Sequence, residues 1–262
     1  MSAWINEAKN RIIDVSGIAL FFILWEVLPH FGVIDGQFIP PLSVVLLTLW
    51  ALAADGTIFI HSAASLQRTL IGLALATGLG LPCGFLLGGV YPKLARQLRP
   101  LLRMLGQING FSLFPIFILF FGIGEGAKVS IIFWSSIWPV LFTTIAGIKQ
   151  IDPLLIKSAR SMGASRAIIF WKVILPGATP VIFTGVRTGA THAFLMLMAA
   201  EVIGASAGLG WLIHNSAING VIPRLFAGVI SIAVLGTAIT YALHYLEELL
   251  IDWKAAAKVK VN

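Results

Sequence analysis

Long apolar runs alternate with short polar or glycine-rich breaks along the chain, and six runs are near the length a membrane-spanning helix requires. A helix rising about 1.5 Å per residue needs about 20 apolar residues to cross about 30 Å of hydrocarbon. The predicted spans are Ile12–Phe31, Leu70–Val90, Met104–Gly122, Val129–Ile148, Phe183–Ile203 and Leu225–Leu246. Runs such as IGLALATGLGLPCGFLLGG lack the period-two alternation of a barrel strand, so helices are expected throughout. A shorter apolar stretch, Pro41–Ala54, is opened by Pro40 and Pro41 and predicts an interfacial or re-entrant helix. The other outer connections, GIGEGAK and SAGLGWLIHNSAINGVIP, are glycine-rich and nearly uncharged.

Within the second span, Gly72, Ala76, Gly80, Gly84 and Gly88 place a small residue at every fourth position. That spacing forms one helix stripe along which another backbone can approach closely. Pro82 in the same span is expected to kink it.

Composition supports the membrane reading. The 262 residues are 58% hydrophobic and 11% charged, with a mean hydropathy of +0.94, against about 45–50% apolar and about 25% charged residues in a soluble domain. Soluble and disordered classes are thereby excluded. Cys83, the single cysteine, lies in an apolar run, which rules out a disulfide framework and a cysteine-based zinc site and predicts a small packing residue.

The net charge of +7 is unevenly placed. Lys9 and Arg11 precede the first span; Lys93, Arg96, Arg99 and Arg103 occupy the second connection; Lys149, Lys157, Arg160, Arg166, Lys172 and Arg187 occupy the fourth; Lys254, Lys258 and Lys260 end the chain. Only Arg68, Lys128 and Arg224 remain for the other side. Lys and Arg resist translocation, so both termini and the even connections are predicted to be cytoplasmic, with the N-terminal run kept as a helix rather than cleaved. Topology generates such a basic face without a continuous basic stripe, which argues against nucleic acid and for lipid headgroups or an acidic cytoplasmic partner.

The fourth connection, IDPLLIKSARSMGASRAIIFWKVILPGATPVIF, carries the densest local signals. Asp152 is placed as an N-cap and Pro153 as the first helical residue, Gly163 breaks that helix, and Ser165 caps a second. Pro176 and Gly177 are expected to terminate the second helix before the fifth span. On periodicity alone the pair would rest on headgroups. The residues Lys157-Ser158-Ala159, then Gly163, then Val173-Ile174-Leu175-Pro176, resemble the EAA loop of ATP-binding-cassette importer permeases.

The likeness extends over about Ser65–Trp253 and includes SLQRTLIGLALATGLGLPCGFLLGG, LFPIFILFFGIGEGAK, ARSMGASRAIIFWKVILPGATPVIFTGVRTG and AAEVIGASAGLGWLI. It is similar to the nitrate, sulfonate, taurine and bicarbonate branch. Two positions depart from the pattern: Lys157 stands where the loop usually has Glu, and Gln107-Ile108-Asn109-Gly110 replaces a common Pro-Pro pair.

The resemblance implies an all-α type I importer permease with six spans and cytoplasmic termini. It divides into an N-terminal helix with an outer segment (1–64), a permease core (65–253) holding a coupling loop (149–182), and a tail (254–262). It implies a homodimer, two separate ATPases carrying ATP and magnesium, and an extracytoplasmic solute-binding protein; the chain itself would bind no cofactor or metal. The small-residue stripe argues in the same direction, for close contact with a second copy. Lys157, Ser158, Ala159, Arg160, Gly163, Ala164, Ser165 and Pro176 are the expected ATPase contacts. Asn109, Ser112, His192 and Glu201 are pathway candidates because polar groups in spans are costly and so functional by default, the alternatives being a snorkelling carboxylate or a helix–helix hydrogen bond for Glu201 and an interhelical donor for His192. Arg187 is expected to snorkel to phosphates or attract a departing anion, and Glu26 to make a lipid-interface or partner contact.

No nucleophile–base motif or metal spacing is present, and the histidines His30, His61, His192, His214 and His244 are scattered. An ion-gradient-driven transporter or channel would share the same hydropathy.

Overall fold

The structure is a computed structural model that describes the backbone of residues 2–250 and the side chains of residues 16–249. The basic tail residues Lys254, Lys258 and Lys260 lie outside the described residues, as do the side chains of Lys9 and Arg11. The elements are α1 (Ser2–His30), α2 (Leu42–Ala54), α3 (Thr57–Phe85), α4 (Pro92–Gln107), α5 (Gly110–Phe121), α6 (Glu125–Lys149), α7 (Pro153–Ser161), α8 (Arg166–Ile169), α9 (Leu175–Val202), α10 (Leu209–Ile218) and α11 (Ile222–Leu250). Wider π-helical turns at Leu86–Val90 and Phe170–Ile174 extend α3 and join α8 to α9.

Helix α6 is the axis of the bundle, with α3 on one side and α9 on the other. The small-residue stripe of α3 makes the first contact: a methyl group at Gly72 would strike Ile132, one at Gly80 Val140, one at Gly84 Thr144 and one at Gly88 Ile148. Ala76 in the same row is fully buried. On the other side, Gly185 and Gly189 of α9 lie against Thr143, Ser136 and Val140. Lipid is as apolar as the side chains, so helices in a bilayer associate through close packing, which small residues permit. The α3 stripe is therefore used inside one chain and is no argument for a second copy.

Among the described residues, four helices are long and apolar enough to cross a membrane: Thr57–Val90, Glu125–Lys149, Arg166–Val202 and Ile222–Leu249. The predicted third span is not one helix. It bends by 88° between α4 and α5, because Asn109 leaves the helix in an extended conformation and its Oδ1 accepts the Phe111 N–H, starting a new helix at Gly110. The predicted stop at Pro176 and Gly177 is also absent. Pro176 sits in the first turn of α9, and the π turn just before it widens the backbone, so α8 and α9 form one continuous helical run. Pro82 stays inside α3, and the irregularity follows one turn later at Leu86–Val90.

Over the described residues Ser16–His30, α1 is apolar and touches the bundle lightly. Trp25 Nε1 donates to the Pro40 carbonyl at 3.1 Å. Glu26 is no free interfacial carboxylate: it accepts the Ser43 N–H and hydroxyl at 2.9 and 2.8 Å, satisfying the start of α2. The predicted short outer helix is α2, which packs Val45 and Leu52 against α10 and α11. The fifth connection holds a further helix, α10, which composition does not reveal. Cys83 is exposed on the outside of α3 and packs no core.

Candidate functional site

Three regions carry chemistry: a turn at one end of the bundle, a cavity at mid-depth, and a buried charge cluster at the opposite end.

The turn is α7–α8, which follows the last residue of α6. Asp152 Oδ1 accepts the Leu154 N–H at 2.8 Å and Ser165 Oγ accepts the Ile168 N–H at 3.3 Å, so both caps stand where the sequence places them. Gly163 has φ +78°. Its N–H donates to the Arg160 carbonyl at 3.0 Å and the Ala164 N–H to the Ala159 carbonyl at 3.1 Å, the paired bonds that close a helix through a left-handed glycine. Lys157, Ser158, Arg160, Gly163 and Ser165 are exposed, and Ala164 and Pro176 are half-buried. Ala159 is buried at 7% exposure, so it packs beneath the turn and offers no contact surface. Beside these residues stand Leu154, Leu155 and Met162, exposed at 65%, 57% and 80%. Sequence alone does not single them out, because they match the apolar period of a helix lying on a membrane.

The cavity, about 330 Å³, opens where α4 breaks into α5 against α6 and α9. Gln107, Asn109, Ser135, Trp138 and His192 supply its polar groups. Asn109 and His192, 83 positions apart by number, are thus brought together. Ser112 is exposed on α5 and does not line this cavity. Trp138 Nε1 is buried with no hydrogen-bond partner among the described residues. Trp134 Nε1 donates to the Ile108 carbonyl at 3.3 Å and ties the break to α6.

At the opposite end, Glu201 is fully buried and Arg68 is 6% exposed. Arg68 Nη1 donates to Glu201 Oε1 at 2.7 Å and to the Ala207 carbonyl at 2.6 Å. Its Nε and Nη2 reach the Glu125 carboxylate at 2.6 and 2.8 Å, and Lys128 Nζ joins that carboxylate at 3.1 Å. The same groups cap α10 from other helices: His61 Nδ1 accepts the Gly208 N–H, Ser65 Oγ the Leu209 N–H, and Glu201 Oε2 the Gly210 N–H, at 3.0, 2.9 and 2.8 Å.

Glu201 is thereby fully engaged in holding the fold. By sequence Arg68 and Lys128 look like ordinary outer charges. The signal that marks the cluster is Gly208-Leu209-Gly210 after a lone intramembrane carboxylate, since a methyl group at either glycine would meet Glu201. Arg187, expected to snorkel, pairs instead with Glu247 of α11.

The likeness to known proteins covers nearly the whole chain. The taurine transport system permease protein TauC of Escherichia coli (strain K12) is 32% identical over 94% of this chain and 91% of its own length. A protein named for aliphatic-sulfonate transport, the permease SsuC of Bacillus subtilis (strain 168), is 33% identical over 90% of this chain and 85% of its own. The bicarbonate transport system permease protein CmpB of Synechocystis is 27% identical over 94% and 91%. Among solved structures, an inward-facing MetNI methionine ABC transporter chain superposes with a TM-score of 0.62 at 20% identity, covering 71% of this chain and 92% of that one, which establishes the shared fold. Residues 80–251 match a family model that takes in α4, the α7–α8 turn and α10, and this multi-pass inner-membrane chain belongs to the family of binding-protein-dependent transport system inner membrane components.

Proposed function

We propose that the chain is the membrane-spanning subunit of an ATP-driven importer for a small sulfonate or related oxyanion. It works with a second copy of itself, two ATPases and an extracytoplasmic solute-binding protein. The α7–Gly163–α8 turn carries this reading. A nine-residue helix held between a capped start and a left-handed glycine is a rigid knob that can fit a groove on a cytoplasmic ATPase and pass its closure to α6 and α9. Lys157, Ser158, Arg160 and Ser165 form its polar surface around Gly163 and Ala164, Leu154, Leu155 and Met162 its apolar anchors, and Pro176 lies at the root of α9. Lys157 forms no ion pair among the described residues, so the basic group standing in the usual Glu position is free for an acidic partner.

Asn109 and His192 line the route at mid-depth, with Ser112 further along α5, and Glu201 holds the outer end rather than touching the solute. The relatives named for taurine, aliphatic sulfonates and bicarbonate support an anionic substrate. In a reconstituted complex, ATP-dependent and vanadate-sensitive taurine uptake is expected. Gly163→Trp is expected to abolish uptake and ATPase association together, since any side chain at φ +78° also strains the turn by about 1–2 kcal/mol. Normal uptake by that variant overturns the coupling role. Uptake by the chain alone, driven by an ion gradient, favours a secondary transporter instead.

A further inference from the structure

Because the chain turns by 88° at Asn109, α4 is a separate helix of 16 residues, and it has three distinct faces. Ala95, Leu98, Leu102 and Leu105 are buried or half-buried. Leu94, Leu101 and Met104 are exposed and apolar, suited to lipid. Arg96, Arg99 and Arg103 fall at i, i+3 and i+7 on the third face, and all are exposed. None of the three has a hydrogen bond or ion pair among the described residues. The helical period of α4 gathers them into one row.

The row ends at the cavity. Gln107 continues it one turn beyond Arg103, about 6 Å along the axis, and Gln107 lines the cavity with Asn109, Trp138 and His192. Depth is fixed by packing. A methyl group at Gly106 would touch Trp138 and Phe142 near the middle of α6, whereas the π turn preceding α4 lies at Ile145 and Ile148, beside the coupling turn. The arginines therefore lead from mid-depth to the end that carries α7.

Unpaired guanidinium groups on a helix that leads into the bundle are costly unless they meet water, headgroups or an anion. A row that met only lipid headgroups would have no reason to end beside a polar cavity lined by Gln107, Asn109 and His192.

We infer that Arg103, Arg99 and Arg96 form a cationic ladder that takes the anionic group of the substrate from the cavity to the coupling end. The inference rests on the transport reading above and adds to it which residues receive the charge.

The test is ATP-driven taurine uptake by the full complex in proteoliposomes. Arg103→Gln is expected to lower the uptake rate about tenfold, the loss of one charge-assisted contact. Uptake is expected to recover in Arg103→Lys, while ATPase activity stimulated by the loaded binding protein stays within about twofold of wild type. Gln97→Ala, exposed on the same helix but off the row, should transport normally. A wild-type rate in Arg103→Gln and in the Arg99→Gln/Arg103→Gln double variant overturns the ladder alone. A loss seen only in vesicles containing phosphatidylglycerol, and absent in phosphatidylcholine alone, assigns the row to headgroups and also overturns it. A wild-type complex that carries no sulfonate removes the transport reading and the ladder with it.

Discussion

Glu201 accepts hydrogen bonds from Ser65, Arg68 and Gly210 in a site with no exposed surface. Desolvating the pair is expensive, and the pair survives because every oxygen has a donor. Glu201→Ala leaves Arg68 buried without its inner partner and is expected to cost about 3–5 kcal/mol, read as a fall in the unfolding midpoint of the purified chain in detergent. Gly208→Ala should also destabilise: φ is +130° and its new methyl group would enter the Glu201 carboxylate. Gly36→Ala, in open space at ordinary φ, is the matched control and should change stability by no more than about 0.5 kcal/mol. The cost of an intramembrane carboxylate was legible in the sequence. Its partner was not, because Arg68 stands 133 positions away and reads there as one more outer charge.

Among elements, α3 separates two kinds of glycine that the sequence presents alike. Gly84 faces Thr144, while a methyl group at Gly78, on the outside of the same helix, would meet nothing within 4 Å. Gly78→Ala is expected to stabilise by about 0.5–1 kcal/mol through helix propensity. Gly84→Ala must push α3 from α6 and is expected to destabilise by about 1–3 kcal/mol, so thermal unfolding of the two variants should shift in opposite directions.

The stripe at 72, 76, 80, 84 and 88 was legible because close packing has a four-residue period; its partner could have been any helix. Helix boundaries were less legible where one polar residue competes with an apolar run. Asn109 ends α4 because its side chain accepts the Phe111 N–H, which the break leaves without a helical partner. Pro176 fails to end a helix because a π turn absorbs it.

For the whole molecule, the two ends of the bundle differ in kind. Arg68, Glu125, Lys128 and Glu201 at one end neutralise one another in a closed cluster. Towards and at the other end, Arg96, Arg99, Arg103, Lys157 and Arg160 stand unpaired among the described residues. Charges that cross a membrane during insertion are best paired or few, whereas unpaired basic residues stay behind. The end bearing α7 is therefore expected to face the cytoplasm, where ATP is. The direction of α1 and α11 agrees: Trp25 lies beside Phe226 at the start of α11, with ring centroids 5.8 Å apart, so α1 finishes where α11 begins. In a Cys83→Ser background, which removes the exposed native thiol, Gly36→Cys should react with a membrane-impermeant maleimide in intact spheroplasts. Lys157→Cys should react only after permeabilisation. The reverse pattern would put the coupling turn on the side without ATP and would leave α7 no ATPase to engage.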